Sequence, residues 1–209
     1  MIEGCPSARS VSDSLFDRQV ERLIELGYHR AMGMAEVDFG DWLEPLYGRL
    51  GEIGEAPPDH LPFLIVVPYR MLSVARQMEM LVVAKKRGYA SIDCGKLWSL
   101  DDLGSSEFPY LVCDVDDGTA TVGQTTVDVV TSIRHICRKG LTVEEGIALA
   151  THCPNLLPHH ALALADTDYQ RYVPELWLSS GGPTLGFDFP KSRKEDRGVP
   201  SCARRLMLA

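Results

Sequence analysis

The first regular pattern in the chain is a series of apolar residues three or four positions apart. Charged residues fill most positions between them, and the apolar members are Leu15, Phe16, Val20, Leu23, Ile24 and Leu26. This spacing places the apolar side chains on one face of a helix. Ser12 or Ser14 can cap its start and Gly27 follows its end. The pattern therefore predicts an amphipathic helix that packs on the rest of the chain or on a second subunit.

A denser apolar pattern follows at residues 61–68, which are partly β-branched and carry a proline near each end. This run predicts a buried strand. The preceding residues 51–60 are rich in glycine, proline and acidic side chains, as loops are. We therefore divide the chain into an N-terminal helix with an irregular segment, residues 1–58, and an α+β domain, residues 59–209. The two parts can form one globule.

Residues 108–124 are central to the predicted domain. An apolar arm, an acidic turn ending at Gly118 and a second arm of threonine and valine predict a β-hairpin, or a strand entering a tight turn. Three helices are predicted, over residues 73–86, over residues 125–139 and from Thr142 onward. Residues 81–84 of the first could equally be a strand. The spacing of Thr142 to Glu145 is that of a capping box.

A strand, a turn and a strand are predicted over residues 172–189. Taken with the preceding elements, this predicts an α+β fold with a small, mostly antiparallel sheet and helices packed on one side.

Composition narrows the choice of partners. The formal net charge of −8 argues against nucleic acid and anionic membranes, because both bind cationic surfaces. Residues 190–209 are locally basic, and we expect them to lie against the acidic remainder. The cysteines are scattered without a CxxC pair, and the chain starts without the pattern of a secretory signal. We therefore expect a reduced, cytoplasmic setting and no membrane partner.

Asp114 and Asp116 follow the apolar arm of residues 108–124, as the nucleophile motif of haloacid-dehalogenase phosphatases follows a strand. Gly118 stands where that motif has threonine, and it also interrupts a calcium-loop pattern. Because Asp-Gly is typical of a turn, a turn is the favoured interpretation. Asp114 and Asp116 stay as candidates for catalysis or for binding a divalent cation.

Three of the six histidines, His152, His159 and His160, lie close together in sequence with Cys153. Imidazole and thiolate suit Zn²⁺ or Fe²⁺, so these residues are candidate metal ligands. Their spacing matches no zinc motif, and a histidine after a helix end also stabilises the helix dipole. The sequence therefore identifies no cofactor, and a bound divalent metal is a hypothesis.

Cys202 is the favoured candidate for a cysteine nucleophile, ahead of Cys113 and Cys153. It lies between a serine and a pair of arginines, and an electropositive setting favours the thiolate. Arg171 directly precedes the last predicted strand pair and Trp177 lies within it, and both are candidate ligand-binding residues. The alternative for Trp177 is packing in the sheet.

Six short motifs resemble an uncharacterised bacterial family of unknown function. They are YLVCDVDDG at residues 110–118, LTVEEGIAL at 141–149, THCP at 151–154, VPELWL at 173–178, PTLG at 183–186 and PSCAR at 200–204. They cover about the C-terminal half of the chain. This chain departs from the family pattern at residues 187–194, where members tend to have tryptophan. The resemblance implies no activity and supports the boundary of the domain.

Two functions remain open from the sequence. The favoured one is binding of a small molecule or a partner protein, since the catalytic motifs fail when compared residue by residue. A homo-oligomer formed through the N-terminal helix belongs to this alternative. The other is a metal- or cysteine-dependent enzyme that uses Asp114 and Asp116 or the cluster at residues 152–160. Convergence of these side chains with Cys202 or Arg171 in one pocket would favour the enzyme.

Overall fold

A computed structural model describes residues 11–100 and 107–208 of the chain. The helices of this part are α1 Val11–Leu26, α2 Tyr28–Ala31, α3 Glu36–Tyr47, α4 Val74–Met80, α5 Thr126–His135 and α6 Val143–His152. The strands are β1 Leu61–Val66, β2 Val82–Val83, β3 Lys86–Arg87, β4 Tyr89–Ala90, β5 Leu97–Ser99, β6 Tyr110–Asp116, β7 Lys139–Gly140, β8 Ala161–Ala163, β9 Thr167–Tyr169, β10 Val173–Ser179, β11 Gly182–Asp188, β12 Arg197–Gly198 and β13 Ser201–Met207. The predicted α+β class is confirmed, and the strands divide mainly between two sheets.

The four-stranded sheet has the order β1-β6-β13-β7, and every pairing in it is antiparallel. Its two faces belong to different cores. Leu64 and Val66 of β1 face one core, whereas Phe63 and Ile65 face the other. A strand buried on both faces needs a continuous apolar run rather than an alternating one, and residues 61–66 have one.

Helices α1 to α3 cover one face of the four-stranded sheet. Phe16 and Leu23 of α1 are buried in the same cluster as Phe63 and Ile65. Gln19, also buried, donates from Nε2 to the carbonyl of Phe63 at 2.9 Å and accepts at Oε1 from the Ile65 amide at 2.7 Å. Its amide group thus takes the place of a neighbouring strand at the sheet edge. The amphipathic face of α1 packs on its own chain, and the oligomer stays a prediction.

Helix α6 and the five-stranded sheet lie on the other face. That sheet has the order β12-β8-β10-β11-β4. Residues 143–151 of α6 are all buried, and a Cβ on Gly146 would lie 2.2 Å from Leu164 Cδ2, so the helix backbone lies directly on that side chain. The predicted capping box of Thr142 and Glu145 is present. The helix therefore begins where the sequence indicates, although its polar second and third residues are buried.

The acidic turn has the form of a strand entering a tight turn. Strand β6 ends at Asp116, Gly118 has φ of 87°, and a single 3₁₀ turn, Thr119–Thr121, stands where the hairpin interpretation expected a second arm. A Cβ at Gly118 would lie 2.9 Å from the backbone nitrogen of Pro200. Both neighbouring places beside β6 are taken by the distant strands β1 and β13, so the second arm finds no partner.

Helix α4 ends at Met80, short of residue 86, because β2 and β3 form a small antiparallel pair over residues 82–87. The predicted pair over residues 172–189 is confirmed as β10 and β11. No helix in the described ranges is both long enough and apolar enough to cross a membrane.

Candidate functional site

The candidate aspartates lie at the end of β6, where His60 and Arg138 meet them. His60 Nδ1 bonds Asp114 Oδ1, and His60 Nε2 lies 3.7 Å from Asp116 Oδ2. Arg138 lies 3.1 Å from the second carboxylate oxygen of Asp114. Partial burial acts to raise the pKa of Asp114, but the hydrogen bonds from His60 and Arg138 outweigh it and hold this pKa below its usual value. Both oxygens of Asp114 are therefore occupied by partners.

The backbone at this point is held in an unusual conformation. Asp114 has φ of 54°, a left-handed value that non-glycine residues rarely adopt. Arg138 holds it by donating to the carbonyl of Asp114 at 2.7 Å and to that of Ser201 at 3.1 Å. Asp116 accepts from the Gly118 amide at 2.8 Å, and Asp117 accepts from the Thr119 amide at 2.8 Å. All three aspartates thus shape the turn, and catalysis by Asp114 and Asp116 stays a prediction.

The candidate metal ligands point to different surroundings. His152 ends α6, and burial lowers the pKa of its imidazole to about 4. His160 is buried, with Nε2 at 3.1 Å from the carbonyl of Asp117. His159 is exposed. Within the described ranges, no three histidine, cysteine, aspartate or glutamate side chains lie close enough to hold a metal ion. The divalent metal stays a prediction.

The candidate thiols are buried to different depths. Burial raises the pKa of Cys202 to about 12 and the pKa values of Cys113 and Cys153 to about 11. A thiol is nucleophilic as the thiolate, so burial keeps all three in the less reactive form at neutral pH. Arg205, which makes the sequence around Cys202 electropositive, is instead paired with the buried carboxylates of Glu145 and Asp166.

A cavity of about 550 Å³ opens on the face of the five-stranded sheet that points away from the core. The register of β10 with β11 puts Glu175 and Trp177 on this face, whereas Leu176 points into the core. Residues 157–161 and 194–196 form the other walls. The polar side chains that line the cavity are His159, His160, Glu175, Lys194 and Asp196, and the largest apolar ones are Leu157, Leu178, Trp177 and Phe187.

Charged side chains connect the strands beside this cavity. Lys194 Nζ lies 3.1 and 2.9 Å from the two oxygens of Glu175 and 3.1 Å from Asp188 Oδ2. Arg197, which is 1% exposed, reaches the same Asp188 oxygen at 2.7 Å. Burial acts to lower the pKa of Lys194, but the carboxylates of Glu175 and Asp188 raise it above the usual value. Lys194, which belongs to the loop that covers the sheet, thus balances the negative charge of the buried Glu175.

The structure brings three of the predicted site residues to this cavity, namely His159, His160 and Trp177. The other five lie elsewhere. Arg171 is exposed in the turn between β9 and β10, with φ of 73°, and Cys202, Asp114, Asp116 and His152 belong to the clusters described above. Sequence reasoning missed Glu175 and Lys194. The alternation of Glu175 and Trp177 with apolar neighbours was the available signal for Glu175, whereas Lys194 comes from an irregular loop.

The model of one protein family matches most of the chain. The model of a family of unknown function (DUF5701) matches residues 22–205, which is most of the chain. The chain belongs to this family. No curated protein matches it, and no solved structure matches it. The match to DUF5701 covers a longer part of the chain than the six motifs do, and it includes α3, β1 and His60.

The chemistry available to this DUF5701 member differs between its two polar regions. At the end of β6, His60 and the aspartates are engaged with one another and with Arg138. At the cavity, imidazole, carboxylate and aromatic side chains line a concave space whose volume suits a small organic molecule. The cavity is therefore the stronger candidate for a functional site.

Proposed function

We propose that this DUF5701 member binds a small organic ligand in the cavity on the outer face of the five-stranded sheet. The observation that carries the proposal is the lining itself: Trp177 and Phe187 offer apolar surface, while His159, His160 and Asp196 offer polar groups around the same space. Ligand sites in proteins combine apolar walls with a few convergent polar groups, and typical volumes are about 300–1,000 Å³. The predicted ligand-binding residue Trp177 belongs to this lining.

Buried charge supports a preformed site. Glu175 is 4% exposed, yet it lies on the sheet face that borders the cavity. A carboxylate in this position is costly unless it is paired, and Lys194 and Asp188 tie it into a fixed network with Arg197. Such a network holds the cavity wall in one geometry before a ligand arrives, which lowers the ordering cost of binding.

The test uses the indole signals of the three tryptophans in ¹H–¹⁵N spectra of the full chain, screened against a library of small fragments. Replacement of Trp177 by Phe assigns its signal. We expect cavity ligands to move the Trp177 signal and to leave that of Trp42, which packs on Phe39 in α3. Trp177→Ala should abolish binding, whereas Trp98→Ala, a change at an exposed tryptophan outside the cavity lining, should not. A library in which no fragment moves the Trp177 signal would refute the proposal.

A further inference from the structure

We propose that the ligand carries a protonated amine on an apolar or aromatic body. This inference rests on the proposed function, because it concerns the ligand of the same cavity. The hydrogen-bond donors and acceptors that the lining side chains keep after their contacts with the protein indicate the charge of the ligand.

The cation on the cavity wall has no donor to spare. Among the lining residues that the structure describes, Lys194 is the one lysine or arginine, and an ammonium group has three N–H donors. Its three short contacts are the two oxygens of Glu175 and one oxygen of Asp188, at 2.9 to 3.1 Å. An anionic ligand would have to displace one of these carboxylate contacts before Lys194 could bind it. The wall therefore disfavours anions.

Apart from His159, whose exposed imidazole offers a donor, the polar groups with free capacity are acceptors. Asp196 is exposed on the cavity wall, and its carboxylate has no hydrogen-bond or ion-pair partner in residues 11–100 and 107–208. His160 Nε2 faces the carbonyl of Asp117, which can only accept, so Nε2 carries a proton, and in the neutral imidazole Nδ1 is left as an acceptor. Each oxygen of Glu175 takes one hydrogen bond from Lys194, and Oε2 also lies 3.6 Å from Arg197, so the free lone pair is on Oε1.

An aromatic ring completes a lining suited to a cation. The six-membered ring of Trp177 lies against Gly186, where a Cβ would be 2.6 Å from it, so glycine at this position lets the indole settle on the strand. Phe187 also borders the cavity, but its ring packs on Tyr169 and Tyr172. The face of an indole attracts ammonium groups, and a carboxylate nearby adds to the attraction. A ligand with an amine and an apolar body uses both the indole and the free acceptors on the wall.

Three probes with one body and different charge test this inference: phenethylamine, 2-phenylethanol and phenylacetate. Their affinities are measured by titration of the Trp177 indole signal in the full chain. We expect phenethylamine to bind about tenfold or more tightly than phenylacetate, the difference that one charge-assisted contact makes. Its binding should weaken as salt is added, because the site is open to solvent.

The matched variants are Asp196→Asn and Glu195→Gln. Both remove one exposed acidic charge from the same loop, but only residue 196 lines the cavity. Asp196→Asn should weaken phenethylamine about tenfold, and Glu195→Gln should leave it unchanged. The backbone bond from the Ala161 amide to the carbonyl of residue 196 survives either change, so both variants should keep the dispersed spectrum of the folded chain.

The outcomes separate the two proposals. Equal or tighter binding of phenylacetate, or a fragment screen whose cavity ligands are all neutral or anionic, overturns the amine while leaving the cavity as a ligand site. Equal effects of the two variants also overturn it. A Trp177 signal that no compound of any charge moves refutes the proposed function itself.

Discussion

Glu144 is expected to hold a proton at pH values where ordinary glutamates have lost it. Burial raises the pKa of its carboxyl group to about 7. The hydrogen bonds from Tyr110 and from the Tyr69 amide oppose this, whereas the neighbouring Glu145 adds to it. The group lies in a cluster in which Arg205 is already paired with Glu145 and Asp166. One guanidinium thus faces three carboxyl groups, and the protonated form of Glu144 relieves the excess negative charge.

The consequence for stability has a definite sign. Below the unfolded value of 4.5, Glu144 is protonated in both states and its contribution is constant. Between 4.5 and about 7 the unfolded chain releases the proton while the folded chain keeps it, so the free energy of unfolding falls as pH rises. The difference between the two pKa values corresponds to about 3 kcal/mol, all of it lost above about pH 8.

His152 opposes this trend in the wild-type chain. Its folded pKa of about 4 lies below its ordinary value of 6.5, so the unfolded state takes up a proton first as pH falls. The contribution of His152 to stability therefore falls with acid between 6.5 and about 4, while that of Glu144 grows. The two slopes cancel over most of this range, and a pH profile of the wild-type chain alone would conceal both.

Glu144→Gln isolates the first effect. Glutamine has the shape of the protonated acid: its oxygen can accept from the Tyr69 amide, and its amide nitrogen can donate to the Tyr110 hydroxyl. We expect this variant and the wild type to be about equally stable below about pH 4.5, and the variant to be more stable by about 3 kcal/mol near pH 8. Urea unfolding at several pH values measures the difference, in which the contribution of His152 cancels.

Glu195→Gln, at an exposed position, is the control and should show no such trend. A stability difference between Glu144→Gln and the wild type that stays constant from about pH 5 to about pH 8 would refute the reasoning. So would a variant that is less stable at every pH, since that result would mean that the folded protein needs the ionised carboxylate.

Two further changes test local features. Gly118→Ala should lower the free energy of unfolding, measured in urea, clearly more than Gly123→Ala does. Both glycines have positive φ, near 87° and 82°, but only a Cβ at Gly118 meets backbone atoms. Equal losses of stability would contradict this close approach. Among the cysteines, the exposed Cys137 should react first with a disulfide reagent in a Cys5→Ser chain, whereas the buried thiols should react far more slowly because their thiolates are disfavoured. A rapid phase that survives Cys137→Ser would contradict this order.

Local signals predicted local structure well. The capping box of Thr142 and Glu145, the helix that ends before Gly27 and the turn at Gly118 each depend on residues a few positions apart, so a single sequence displays them. The second arm after Gly118 failed as a strand because strand formation needs a partner. Both places beside β6 on the sheet are taken by residues 61–66 and 201–207, and local sequence does not reveal such pairings.

The candidate site depends on these distant pairings even more. Glu175 meets Lys194 because β10 pairs with β11 and the following loop folds back over both strands. His60 meets Asp114 because β1 pairs with β6. The histidines at residues 152–160 show the converse: they are neighbours in sequence, yet a helix end and a turn direct His152 and His160 to different parts of the molecule. Sequence proximity indicated a cluster that the fold divides.

The acidic turn and the cavity are linked through the backbone. The carbonyl of Asp117 fixes His160, which lines the cavity, and the Thr121 hydroxyl accepts from the Val199 amide at 2.8 Å. A Cβ on Gly198 would lie 2.2 Å from the carbonyl oxygen of Gly118, so the turn lies directly on β12, the strand that carries Arg197. Since Arg197 supports the ion pairs of Glu175, the turn holds two walls of the cavity in place. The turn thus contributes to the proposed ligand site through its backbone, which contacts His160 and β12.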